Sequence, residues 1–79
     1  MDPNTVFTQL QGLVGEQLAE PAESVRRDLA LEELGLDSVE KVELMARVEE
    51  AFDVAIPPAD AVHLETIDDL IRYLSGRAA

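Results

Sequence analysis

The chain contains no cysteine, which excludes a disulfide frame, a thiolate nucleophile and any cysteine-ligated metal. Basic residues are scarce as well: six Lys and Arg stand against 17 Asp and Glu, giving a formal net charge of -11. That balance argues against nucleic acid and anionic membrane as partners, because such binding draws most of its free energy from cationic side chains that displace counterions from phosphates. Basic protein surfaces are the natural complement. No window approaches the ~20 apolar residues of a membrane span, and the opening MDPNTVF lacks a basic segment followed by an apolar run. The expectation is a cytoplasmic monomer.

With 47% hydrophobic residues the chain is too apolar to stay disordered. Its 79 residues suit one domain spanning 1–79. At this size a core leaves a net stability of only about 3–5 kcal/mol, so the fold must be simple and locally consistent.

The first segment, Asn4 to about Glu20, carries Val6, Phe7, Leu10, Leu13, Val14 and Leu18 on one helical arc. Asn4 can cap its start and Pro21 end it, with Gly12 and Gly15 on the wet face. From Ala22 to Leu36 the pattern weakens into a long connection anchored by Val25, Leu29, Leu31 and Leu34, and Gly35 suits a tight turn. The second helix, Ser38 to about Phe52, is the best determined, because Asp37 with Glu40 three residues on reads as an acidic capping box. Val54 and Ile56 then alternate in an extended link, and Pro58 can open a brief helix through about Leu64. Thr66 with Asp69 repeats the capping pattern before a last helix whose face is Ile67, Leu70, Ile71 and Leu74, closed by Gly76. No segment reads as a strand. The expected fold is all-α: a small four-helix bundle of three main helices and one short one.

The second helix carries more apolar surface than a core needs. Leu44, Val48, Ala51 and Phe52, with Met45 at the margin, share one face. Val39, Val42 and Ala46 lie well round the cylinder, with Glu43 and Glu50 on one side and Glu49 on the other. These three either widen the core stripe or form a docking strip, in which carboxylates steer basic partners and the apolar line supplies modest affinity. Lys41 projects toward the core side, so its stem should pack while its ammonium reaches water.

Ser38 begins beside that stripe and has three readings. It is an ordinary first-turn residue next to the Asp37 cap, or a catalytic nucleophile, or a hydroxyl that another enzyme modifies. Nucleophilic catalysis needs a base within hydrogen-bond reach, yet the only histidine, His63, lies in a separate polar segment, and no nucleophile-elbow glycines surround Ser38. A phosphorylated group attached at the first turn would sit near free N–H groups and the positive end of the helix dipole, an effect of about 0.3–1 kcal/mol.

The stretch Leu36-Asp37-Ser38-Val39-Glu40, followed by Val42-Glu43-Leu44, Glu49-Glu50, Phe52, Ile56-Pro57, Thr66, Ile67 and Tyr73, resembles the attachment motif and the central and C-terminal part of discrete acyl carrier proteins, and the resemblance runs more weakly through the first helix. The resemblance implies that Ser38 receives 4′-phosphopantetheine from coenzyme A through a Mg²⁺-using phosphopantetheinyl transferase, and that Asp37 assists recognition by that enzyme. It also implies that Glu40, Glu43, Glu49 and Glu50, with Val39, Val42 and Ala46 between them, face basic patches of acyl-transferring, condensing and modifying enzymes. By the same resemblance the chain is expected not to be an enzyme. Lys41, Arg47 and Ala51 make this helix less acidic than in many fatty-acid carriers, so polyketide or other specialised acyl carriage ranks level with fatty-acid synthesis. Aminoacyl or peptidyl carriage ranks third, since Gly35-Leu36-Asp37-Ser38 lacks the second glycine common in peptidyl carriers. Val62 is apolar where the short helix of such carriers is usually polar, and is either neutral surface drift or a pathway-specific contact. The rival from another class is an acidic helical adaptor that is never modified.

Overall fold

The computed structural model describes residues 1–77. Its α-helices are α1 (Pro3–Leu18), α2 (Ser38–Phe52), α3 (Pro58–Ala61) and α4 (Ile67–Arg77), with 3-10 turns at Ala22–Ser24 and Leu31–Leu34 in the long connection. The chain is all-α. Among the described residues no strand occurs beyond a single antiparallel bridge between Ala30 and Thr66, and no helix is long and apolar enough to cross a membrane.

Helix α1 starts one residue earlier than expected, and Asp2, not Asn4, caps it: the Asp2 carboxylate accepts the Asn4 N–H at 2.7 Å. The reason is Pro3, whose fixed φ and missing N–H suit the first helical position and move the cap to the residue before it. The helix ends at Leu18, with Ala19 in the left-handed region at φ 56°. Glu20 N–H then donates back to the Gly15 carbonyl at 2.9 Å, a Schellman-type reversal. Gly15 is buried there, not on the wet face, and a Cβ at that position would lie 2.9 Å from the Glu20 carbonyl oxygen. Only a residue without a side chain lets the chain double back so closely.

The core is one cluster of buried apolar side chains. Val6, Leu10 and Val14 of α1 meet Leu44, Val48 and Phe52 of α2 and Ile67, Leu70, Ile71 and Leu74 of α4. Each fully buried aliphatic or Phe side chain contributes about 1.5–3 kcal/mol relative to exposure. Ala51, placed on the core face by periodicity, is exposed. It stands at the edge of that face, where its single methyl does not reach the cluster.

The long connection is more structured than its weak pattern predicts. Val25 and Leu31 are buried, and Leu29, Leu34 and Leu36 pack on the core. Leu31 N–H donates to Glu65 O at 2.8 Å and Ile67 N–H to Leu29 O at 3.0 Å, so the connection pairs with the entrance to α4. Arg27 reinforces the junction by binding Asp68 at 2.9 Å. In the α2–α3 link Val54 and Ile56 are buried on either side of exposed Ala55. Helix α3 stops at Ala61, short of the expected Leu64, and α4 continues through Gly76 to Arg77.

Candidate functional site

Gly35 adopts φ 73°, a left-handed turn that glycine takes without a Cβ clash. It redirects the chain into the α2 cap while Leu36 stays half-buried against the core. Asp37 then closes the capping box: its carboxylate accepts the Glu40 N–H at 2.8 Å, and the Glu40 carboxylate accepts the Asp37 N–H at 3.4 Å. Because Asp37 satisfies the cap, Ser38 at the first helical position is released from it. Its side chain is exposed, and among the described residues the hydroxyl has no hydrogen-bond partner.

That hydroxyl opens onto a groove of about 500 Å³ between α2 and the segment leading into α3. One wall is Ser38, Lys41, Val42, Met45, Ala46 and Glu49; the other is Ile56, Pro58 and Ala61. Two internal bonds hold the far wall. Glu49 accepts the Ile56 N–H at 3.2 Å, and the Tyr73 hydroxyl donates to Asp60 at 2.7 Å, joining α4 to α3. The bond to Asp60 holds the Tyr73 phenol in its protonated form and raises its pKa above the ordinary value.

The remaining singled-out residues separate into two groups. Val39 and Val42 are 65% and 68% exposed, Ala46, Glu43 and Glu50 are exposed, and Val62 at the end of α3 is 72% exposed. Glu43 and Glu50 have no ion-pair or hydrogen-bond partner among the described residues. Glu40 and Glu49 are half-buried, and their carboxylates are engaged in the capping box and the link. Val62 lines a smaller depression that shares Lys41 and Ala61 with the groove beside Ser38. His63 is exposed, lines neither cavity and makes no side-chain hydrogen bond, so it does not equip Ser38 with a base. No cluster of metal-ligating side chains occurs among the described residues.

Sequence reasoning missed the groove itself. Periodicity puts Met45 at the margin of the core and Ile56 in the buried link, whereas each also forms wall. A signal was available in the wheel positions of Lys41, Val42 and Met45, which cluster around Ser38 at i+3, i+4 and i+7.

Residues 8–74 match the family described as the phosphopantetheine attachment site. An acyl carrier protein of Campylobacter fetus subsp. fetus is 38% identical over 72 residues, covering 90% of this chain and 94% of the relative. One from Campylobacter jejuni subsp. doylei is 39% identical over 71 residues, covering 89% and 92%. The chain belongs to the acyl carrier protein family. The family's prosthetic group is phosphopantetheine, which supplies the thiol that this cysteine-free chain lacks.

Proposed function

We propose that this chain is an acyl carrier that works as a cytoplasmic monomer, with Ser38 as the attachment residue for 4′-phosphopantetheine and 1–79 as one carrier domain. The observation that carries the reading is the exposed, unpartnered Ser38 hydroxyl at the mouth of an apolar groove. A transferase must reach that oxygen, and a group attached to it must leave the surface without a clash; both conditions fit this position. The bound group's terminal thiol holds acyl chains as thioesters. The chain's own residues present the hydroxyl, hold the α2 cap and offer surface to visiting enzymes, and no residue beside Ser38 supplies catalysis. Asp37 keeps the first turn in shape for transferase recognition, since its carboxylate fixes the backbone on which Ser38 stands.

Docking falls to the strip of Val39, Val42 and Ala46 with Glu40, Glu43, Glu49 and Glu50 around it. Glu43 and Glu50 contribute most of the steering because their charges are unpaired, while Glu40 and Glu49 act mainly by holding local structure. Val62 adds a pathway-specific contact across the groove. The acyl cargo belongs to fatty-acid or polyketide-type synthesis, the two ranking level, with partners among acyl-transferring, condensing and modifying enzymes that carry basic patches.

Incubation with coenzyme A, Mg²⁺ and a broad-specificity transferase, followed by intact-mass measurement, tests the attachment. The carrier gains one phosphopantetheinyl unit and Ser38→Ala gains none; an unmodified acidic adaptor would keep its mass throughout. For Val62, turnover of the loaded protein by each cognate partner should fall in Val62→Glu, and unchanged turnover with all of them removes that contact.

A further inference from the structure

Lys41 is the only lysine in the chain. It sits in an acidic protein, on the helix with the densest unpaired carboxylates, yet it forms no ion pair among the described residues. Glu32 and Glu65 line the same small depression as Lys41 and still do not engage it. Lys41 follows Ser38 by three residues, so their Cβ atoms are neighbours about 5–6 Å apart on one helix face. Side chains on a helix lean toward its N-terminus, which carries the Lys41 stem over the turn where Ser38 stands. Both residues line the groove between α2 and α3.

The neighbouring charges are of the other sign. Asp37 and Glu40 flank Ser38 with carboxylates fixed in the capping box. An anion on the Ser38 oxygen therefore meets two carboxylates and, within one turn, one cation. The next basic residue of α2, Arg47, lies about 13 Å farther along the axis from Ser38.

We infer that Lys41 is a positioning residue for the prosthetic group: its ammonium pairs with the phosphodiester at Ser38 and leans the root of the arm toward α3. This rests on Ser38 being the attachment residue. It leaves Val39 and the outer part of the strip uncovered for docking, while Lys41, which has no partner among the described residues, finds one in the attached group. That Lys41 is unpaired among the described residues is thus explained by a charge that arrives with the prosthetic group.

The experiment uses isotope-labelled full chain loaded as above, with intact mass recorded first. Lys41 supplies the only lysine Hε resonance, so its contacts are unambiguous. In the loaded wild type, nuclear Overhauser contacts from Lys41 Hε to the arm protons next to the phosphate are expected. The ³¹P resonance should be displaced from that of the urea-unfolded loaded protein, and should move back toward it as salt rises to about 1 M, where screening acts within roughly 3 Å. Lys41→Arg should keep the displacement and Lys41→Gln should lose it. Loaded protein without the contacts, or a ³¹P resonance that Lys41→Gln leaves unmoved, overturns the inference. Protein that stays at its unloaded mass overturns the attachment reading instead, and the mass record identifies that failure before any resonance is measured.

Discussion

Helices α2 and α4 begin in the same way and serve different ends. Each opens with a reciprocal capping box, Asp37 with Glu40 in one and Thr66 with Asp69 in the other. Beyond the cap they diverge. On α4 four apolar residues are fully buried, and the polar side is internally matched: Asp68 binds Arg27 and Arg72, Asp69 binds Arg72, and Arg77 stacks on Tyr73 at 3.8 Å. On α2 three residues are buried, two valines face solvent, and Glu43, Glu50, Lys41 and Arg47 have no partner among the described residues. None of the ion pairs among those residues touches α2. Helix α4 satisfies its surface groups within the molecule, whereas α2 leaves its own open, as the proposed docking role requires.

The largest effect that would sharpen this contrast is Leu74→Ala. Leu74 is fully buried, and truncating such a leucine costs about 2–5 kcal/mol, comparable with the whole expected stability of a domain this size. Urea titration should find the variant mostly unfolded; the matching change on the open face, Val42→Ala, should alter stability by less than about 0.5 kcal/mol. Similar losses for both would break the division between the helices.

Removing the α2 cap is the next effect down. Asp37→Ala should cost about 0.5–2 kcal/mol and slow loading at Ser38, because the first turn frays where the transferase works. Asp37→Asn, which keeps a capping oxygen, should recover most of the stability in the same melts.

Acid tests the cap of α4 through Asp69. In folded protein, the N–H groups of Glu65 and Thr66 that Asp69 accepts hold its carboxyl below the ordinary value, with Thr66 hydroxyl and Arg72 adding to the effect. A depressed folded pKa gives stability that is complete above the unfolded value, about 4 for Asp, and is lost as pH falls through the folded one. Wild type should therefore weaken below about pH 4, and Asp69→Asn should weaken less across that window. A variant with an unchanged acid limb would remove α4's cap from the account.

The smallest effect on stability belongs to Glu43→Lys with Glu50→Lys, whose side chains are exposed and unpaired. Melting should shift by no more than about 0.5 kcal/mol. Association with a basic partner enzyme should nevertheless slow, and its salt dependence flatten. An unaltered on-rate in stopped flow would count against α2 as the docking helix.

Much of this was legible without coordinates because it is local. The two capping boxes, the burial of Leu44, Val48 and Phe52, and the alternation of Val54 and Ile56 follow from spacing within a few residues, whereas spacing left open whether Val39 and Val42 join the core, and packing left them exposed. The expectations that failed depend on distant chain or on competition between neighbours. Asn4 lost the cap to Asp2 because Pro3 claimed the first helical position, and Gly15 is buried because residues beyond it fold back over its turn. Ala51 has the right angle on the helix, but too little side chain to reach the core from the edge.

Periodicity and capping chemistry set out four helices and placed a hydroxyl at the start of the most acidic one, since those features depend on residues three or four positions apart. The tertiary structure alone decided that Ser38 opens onto a groove, because its far wall comes from Ile56, Pro58 and Ala61 and is held by Tyr73 of α4. It also decided which charges are free. Pairing depends on what packing brings within about 3 Å, and packing brought Arg27 to Asp68 while leaving Lys41, Glu43 and Glu50 facing outward.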